Sequence, residues 1–492
     1  MNKEIEKLRF NTISRMREGV DVLIIGGGIT GSGVLNILSS TNIKVALVDA
    51  YDFAFGTSSR SSKLIHGGLR YIANGQFSVV RESVKERDFL LQHSNLVRKE
   101  NFIIPIDDNS WSKNTLRFGL WIYSLFSKEI KAKWYSMDEV SHMYSALADT
   151  PQQGGYIYAE GVVNDARLVI ENILSSKMKS ALALNYAEVL SIDFQNDSAA
   201  SAKIKDKITG IEFQIPFKIL INSAGPWVGN IFKMIEQHYS DLEDIAKLLK
   251  LSKGDHIIVK RDIFPVDVAI ALRSPIDGRQ VFIIPRGEVI IIGTTETEYN
   301  GDINSPLPRE VEIQYLLNSV KAYLKNISRS DVINAYSGLR PLFGRGGNLG
   351  KISREYRIIK KGNVISIVGG KITTYREIAI RIAKLVLKDL GVHGNPSIDF
   401  RYSKKLDQAR KNIIRTYGIE HEDQMSFAYD ILYEDAIHAD DILWRREGYF
   451  IFSSDSGTSQ LESCIETLKH VIGLSDKEAE IEGRNYLNMI HR

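Results

Sequence analysis

Apolar residues along the chain fall into two kinds of run. VDVLII (20–25), KVALVD (44–49), KILIN (218–222) and NVISIV (363–368) are nearly continuous, the pattern of strands covered on both faces. AEVLSID (187–193) and the alternating SAKIKDKITGIEFQI (201–215) read as meander strands with a turn at Thr209-Gly210. DHIIVK (255–260), VAIAL (268–272) and a hairpin, VFIIPRGEVIIIGTTE (281–296), turning at Arg286-Gly287, extend the strand-rich middle. Helical stretches follow the first run, to about Ser40, and the last, to about Leu390. Past Pro396 the chain turns to charged helical segments such as LDQARKNIIRTYG and LESCIETLKHVIG. No repeat, low-complexity tract or Pro/Ser-rich linker divides these parts, which predicts interleaved domains and a separate C-terminal helical one.

A glycine turn interrupts the pattern where chemistry is expected. VDVLII runs into Gly26-Gly27-Gly28-Ile29-Thr30-Gly31, a helix follows, and the second strand ends at Asp49. Glycines let the backbone approach a pyrophosphate, and the helix N-terminus offers it unpaired N–H groups; the acid then accepts from a ribose. A bare GxGxxG is a weak signal. Strand, turn, helix, strand and acid in this order predict dinucleotide binding over a plain tight turn with a solvated aspartate. GRGGNLGK (344–351) is no phosphate-binding Walker loop, because its glycine spacing is one residue too long and Ile352 replaces the metal-binding hydroxyl.

Composition narrows the partners. Sixty-three basic against 60 acidic residues leave a net charge of +3, without the basic field that nucleic-acid binding needs. A single cysteine, Cys464, excludes an internal disulfide and suits a reducing cytoplasm. The ten histidines form no HExxH or Cys/His cluster, so no metal is expected. No apolar run approaches the ~18 residues of a membrane span, and the charged first twenty residues do not read as a secretory signal. A cytoplasmic protein is expected, free to lie on a membrane surface.

A simple NAD domain would continue with alternating strands and helices. Here the chain passes from Asp49 into the hydroxyl-rich YDFAFGTSSRSSKLIHGGLRY, and a second glycine turn, Gly369-Gly370-Lys371, arrives over 300 residues later. That organisation suits an FAD domain of the disulfide-reductase type with a second domain inserted. GGGITGSGV, TSSRSSKLIHGGLRYI, VVRESVKERDFLL, VVNDARLV, INSAGPWV, KGDHIIV, IIGTTETEY, YSGLRPL and VGGKITTYRE follow one another in a chain that resembles the FAD-dependent glycerol-3-phosphate dehydrogenases (aerobic, quinone-linked type) from about Val20 to Leu390. ADDILWRR resembles their C-terminal domain. Ser223-Ala224-Gly225 stands where the family more often has Ala-Thr-Gly, and Glu447 follows the paired arginines where a hydroxyl is usual; Arg345 carries no expected role.

The expected fold class is α/β: a Rossmann-like, glutathione-reductase-like FAD-binding domain (15–90, 155–228 and 353–395), an inserted antiparallel-sheet substrate domain (91–154 and 229–352), and a C-terminal helical domain (396–492). The resemblance implies non-covalent FAD and oxidation of sn-glycerol 3-phosphate to dihydroxyacetone phosphate, within glycerol and glycerophospholipid metabolism. Electrons then pass to a quinone, or to oxygen in the family's oxidase branch. A homodimer and a peripheral place on the cytoplasmic face of the inner membrane are further expectations.

That reaction needs a phosphate clamp, a base, and donors that steady negative charge on the flavin. Arg340 in SGLRPL and Lys371 in GGKITTYR resemble the family's substrate contacts, with Arg70 and Thr373 beside them. His66 is the expected base, because imidazole changes charge near neutrality; His256 in KGDHIIV competes. FAD contacts are expected from Gly26, Gly28, Thr30, Gly31, Asp49, Thr57, Ser58, Val189, Ala224, Gly225, Gly370 and Thr373. Ser61, Ser62 and Lys63 either bind FAD or brace the loop. WSKNTLRFGLWIYSLFSKEIKAKW (111–134) has three tryptophans and five cations against one acid, which suits either a helix at a membrane surface or a core helix. Two other readings stand beside the dehydrogenase: an amine or amino-acid oxidase of the same fold, and a flavin-binding protein without turnover.

Overall fold

The computed structural model describes residues 2–72, 75–107, 113–127, 130–344, 356–400, 402 and 404–490. The near-continuous apolar runs form a parallel core. Val364–Val368, Glu212–Asn222, Val20–Ile25, Val45–Val48 and Leu182–Leu184 lie side by side in that order, with Arg357–Lys361 added antiparallel at the edge. Successive side chains of a strand point to opposite faces, so Val22 and Ile24 pack with the helices Ile29–Leu38, Asp165–Lys177 and Tyr375–Leu390. Leu23 and Ile25 pack on the other side, against the meander (Ala187–Gln195, Ser198–Asp206 and the start of Glu212–Asn222) and the helix Val228–Ile235. Both faces being covered is why these strands have few polar positions.

Among the described residues the second sheet has ten strands, all antiparallel to their neighbours except Ala269–Arg273 beside Arg98–Pro105. Its longest pair joins Leu249–Lys260 to Val332–Phe343, and the helix Glu310–Val320 packs on it. One expectation is corrected here. Gly154–Val162 was assigned to the FAD-binding domain from residue 155, yet it pairs with Arg98–Pro105 and Leu64–Ile65 in the second sheet. The chain returns to the first sheet only with the helix Asp165–Lys177. Leu64–Ile65 also belongs to the second sheet, so His66 stands on a seam between the two. The boundary expected at 352/353 lies outside the described residues.

The C-terminal region is helical: Leu406–Tyr417, Glu422–Tyr433, Thr458–Ile472 and Asp476–Ile490 surround a buried π-helical turn, Asp441–Arg446. That turn is tied to the first sheet through Asp52, three residues beyond Asp49. Arg445 Nε donates to the Asp52 carboxylate at 2.6 Å, Arg446 at 2.7 and 2.9 Å, and Asn185 Nδ2 at 2.9 Å. Burial opposes ionisation of Asp52, but Arg446 and Arg445 outweigh it and hold the carboxyl well below its usual range. An N-terminal helix, Lys3–Arg17, was not anticipated; its Arg9 joins the same region by donating to Asp206 at 2.6 Å and to Asn185.

Removing one partner of a buried ion pair leaves the other uncompensated, at about 3–5 kcal/mol. Asp52→Ala is therefore expected to lower the thermal midpoint by several degrees, whereas exchanging the exposed Asp262 for alanine should leave it unchanged. Thermal unfolding of the two variants checks this.

Candidate functional site

Residues of both sheets wall one cavity of about 520 Å³. Its first end is the glycine turn. Gly31 can carry no side chain, because a Cβ would stand 1.9 Å from the Gly26 carbonyl oxygen and 2.6 Å from Ser223 Oγ. That close approach lets the helix Ile29–Leu38 start directly on the strand end. Gly28 is its N-cap and supplies no side-chain cap; instead the Ile29 N–H is donated to Ser58 Oγ at 2.9 Å. A phosphate here would meet open backbone donors and a hydroxyl.

Gly26, Gly28, Thr30, Asp49, Thr57 and Ser58 line this end, followed by Val189, Ala224 and Gly225. Gly31 is not among the lining residues; it sets where the helix starts. Asp49 accepts from the Gly27 N–H at 2.6 Å and the Tyr51 N–H at 2.8 Å. Burial nevertheless pushes its carboxyl up to about 7.

The other end brings together residues far apart in the chain. His66, Arg340, Gly370, Lys371 and Thr373 line it, with Ser61 and Ser62 nearby. The His66 N–H donates to Thr373 Oγ1 at 3.2 Å, tying the SSKLIHGGLRY loop to the second glycine turn. Arg340 Nη2 donates to Thr294 Oγ1 at 2.9 Å, and its guanidinium lies over the Gly254 backbone. Lys371 Nζ sits 3.9 Å from the ring centroid of Tyr71.

Two expected residues stand apart. His256 is 1% exposed and does not line the cavity. It stacks on Tyr336, and its Nε2 shares a 2.8 Å hydrogen bond with Ser62 Oγ. Burial, then Arg340 and Lys63, push its imidazole well below the ordinary value. Lys63 is also buried outside the wall, with Nζ 2.6 Å from Asp165; Ser61 Oγ meets the same carboxylate at 2.6 Å. Asp165 thus braces the loop through both. The Arg70 side chain lies outside the described residues.

Among the parts of this wall that sequence reading missed are Glu160 and Asn304. Glu160 is 2% exposed, and its signal was a lone acid in the otherwise apolar GGYIYAEGV. Asn304 accepts from Tyr51 OH at 2.8 Å and Trp227 Nε1 at 2.9 Å near the Asp49 end. No local pattern announced that meeting of three distant segments.

The residues present fit a dinucleotide that ends in a flat ring. The glycine turn admits a pyrophosphate, Asp49 offers a ribose acceptor, and the far end combines peptide donors with cations. Residues 21–371 match the sequence model of a family described as FAD dependent oxidoreductase. The aerobic glycerol-3-phosphate dehydrogenase of Staphylococcus haemolyticus is 34% identical over 402 residues, covering 79% of this chain and 70% of that protein. The crystal structure of the glycerol-3-phosphate dehydrogenase from Bacillus halodurans complexed with FAD superposes with a TM-score of 0.77 at 25% identity, covering 98% of this chain and 97% of that one. A glycine oxidase from Geobacillus kaustophilus superposes at 0.57 with 14% identity over 78% of this chain and 97% of its own, a likeness of fold alone.

The Asp49 carboxyl generates a pH dependence. Its folded pKa of about 7 lies above the ordinary 3.8, so without ligand it contributes stability that is complete below 3.8 and lost as pH rises through 7. Ribose hydroxyls donating to it favour the charged form, so cofactor binding releases a proton. The Kd for FAD, titrated into apoprotein, is expected to fall about fivefold from about pH 6 to 7 and to flatten above about pH 8. Asp49→Asn should bind more weakly and lose that slope.

Proposed function

The chain belongs to the FAD-dependent oxidoreductase family, in the group of the aerobic glycerol-3-phosphate dehydrogenases, and from that premise we propose that it oxidises sn-glycerol 3-phosphate at C2 with His66 as base, with Arg340 and Lys371 on the phosphate and a quinone as electron acceptor. The observation that carries this reading is that His66, Arg340 and Lys371 all line one cavity, with the His66 N–H on Thr373, two residues beyond Lys371. Bound FAD supplies the ring that accepts the C2 hydride.

The phosphate dianion needs cations. The rigid fork of Arg340 suits it, with one guanidinium nitrogen already oriented by Thr294. Charge-assisted hydrogen bonds contribute about 1.5–3 kcal/mol each, so two or three account for most of a millimolar-to-micromolar affinity. His66 takes the proton of the C2 hydroxyl, leaving the carbonyl of dihydroxyacetone phosphate, and returns that proton to water. His256 suits this role less well, because it lies off the wall with Nε2 engaged by Ser62. The backbone N–H groups between Gly370 and Thr373 would hold the anionic edge of the cofactor.

The helix Lys113–Phe126 supports a quinone rather than oxygen as acceptor. It buries Leu116, Leu120 and Tyr123 yet leaves Phe118, Trp121 and Leu125 62%, 58% and 64% exposed on its outer side. Lys113, Arg117, Lys131 and Lys133 flank that apolar stripe and are exposed. An apolar stripe rimmed by cations suits a membrane surface, where quinone dissolves. Among the described residues no helix is long and apolar enough to cross a membrane; Trp111, Lys128 and Glu129 lie outside them.

Anaerobic addition of sn-glycerol 3-phosphate to the FAD-loaded protein is expected to bleach the flavin band, whereas glycine and sarcosine should not. Bleaching by the amines alone would move the chain to the amine oxidases, and no bleaching by any of them would favour a binding role. Slow return of colour in air, with fast return on adding a soluble quinone, would support the acceptor. Gly254→Ala tests the clamp. Its Cβ would stand 2.1 Å from Arg340 Nη2 and push the guanidinium aside. KM is expected to rise about tenfold, the loss of roughly one charge-assisted hydrogen bond, with FAD content unchanged. Sedimentation with phosphatidylglycerol vesicles at low salt checks the membrane face. The protein should co-sediment, the double variant F118S/W121S should not, and a wild-type protein left in the supernatant would count against the assignment.

A further inference from the structure

Gly67 follows the proposed base, and its N–H is buried. It donates to Glu160 Oε2 at 3.2 Å and to Tyr123 OH at 3.1 Å. Arg87 Nη1 donates to the same Glu160 oxygen at 2.8 Å and to Tyr123 OH at 2.6 Å, while Tyr123 OH donates to the other oxygen, Oε1. Arg87, Tyr123 and Glu160 are 0, 1 and 2% exposed. Asp88 and Ser127 hold the remaining side of the guanidinium, at 2.8 and 3.0 Å. Gly67 is pressed so closely onto this group that a Cβ would stand 2.2 Å from Tyr123 Oη and 2.6 Å from Val84 Cγ2.

We infer that Glu160, locked by Arg87 and Tyr123, is a positioning residue for the proton-transfer step, holding the Gly67 peptide so that His66 keeps its place against the substrate; this rests on the reading of His66 as base. On its other side the His66 peptide is held by Thr373, whose Oγ1 accepts from the His66 N–H and lies 3.4 Å from its carbonyl oxygen. The loop is thus gripped from the second glycine turn and from Glu160. An ionised acceptor suits this work. It takes N–H and guanidinium donors at once, whereas a neutral amide presents one oxygen and turns N–H groups toward donors. Burial pushes the Glu160 carboxyl up, while Arg87, Tyr123 and the Gly67 N–H act in the opposite sense and favour the ionised form. Misplacing a reacting group by about 1 Å lowers rate by up to about 10²-fold.

The test compares FAD-loaded wild type, E160Q, E160D, Y123F and H66N by anaerobic stopped-flow bleaching with sn-glycerol 3-phosphate and its C2-deuterated form. E160Q should lower the limiting bleaching rate about tenfold, corresponding to about 1.4 kcal/mol in the barrier. FAD content and substrate Kd should stay within about twofold, and the deuterium effect on the observed rate should change, a readout that lost stability alone would not move. E160D, which keeps the charge, should recover part of the rate. Y123F, which removes one acceptor of the Gly67 N–H but no charge, should slow bleaching less; it carries the test if E160Q does not fold. Wild-type rate and isotope effect in E160Q, or in Y123F should E160Q not fold, would overturn positioning while a slow H66N left the base intact. A wild-type rate in H66N would remove the base assignment and this inference with it.

Discussion

Nothing can be added to Gly31 without moving the strand that feeds it, since a Cβ there would lie 1.9 Å from the Gly26 carbonyl oxygen. The first strand, the turn and the helix are therefore one unit, with the helix N-terminus held at the end of a parallel sheet. The same unit touches Ser223 at the end of Glu212–Asn222, whose Oγ donates to the Ile25 carbonyl at 2.9 Å. Glu212–Asn222 in turn pairs with Val364–Val368, which leads to Gly370, Lys371 and Thr373. One steric contact thereby sets the spacing between the two ends of the cavity.

Buried ions hold the seams that this spacing creates. Lys63 and Asp165 pin the loop after the first turn. Arg87 and Glu160 pin its tip beside His66, and Asp52 with Arg445 and Arg446 pins the C-terminal helices near Asp49. Desolvation largely offsets the attraction in such pairs, so their net gain in stability is small. Their geometry is strict, however, and each lies where two parts of the fold must keep a fixed relation. The C-terminal helices, through Asp52, brace the turn that carries the acid near the glycine end.

Much of this was legible in the chain because it depends on local rules. Apolar runs with few polar positions mean strands covered on both faces, and here they form the parallel sheet. A glycine turn between strand and helix, followed by Asp49, marks a phosphate site because only backbone can approach so closely. His66, Arg340 and Lys371 stood out through motifs, not periodicity. The strand Gly154–Val162 lies in the second sheet because it pairs with Arg98–Pro105, and pairing between strands so far apart in the chain leaves no local trace. Glu160 was passed over for a related reason: a lone acid in an apolar strand has meaning only once Arg87 is known to face it.

The sequence by itself determined most of the strands, the glycine turn that admits a dinucleotide, the near-even charge balance and the family likeness, since each follows from residue type at short spacing. Tertiary structure alone decided which residues share a wall. His66 and His256 are equivalent as letters, yet one lines the cavity and the other lies beneath it, stacked on Tyr336 with its Nε2 on Ser62. The reason is distance: hydrogen bonds and ion pairs act over a few ångströms, and only the packing of the two sheets brings positions 66, 160, 340 and 371 onto the wall of one cavity.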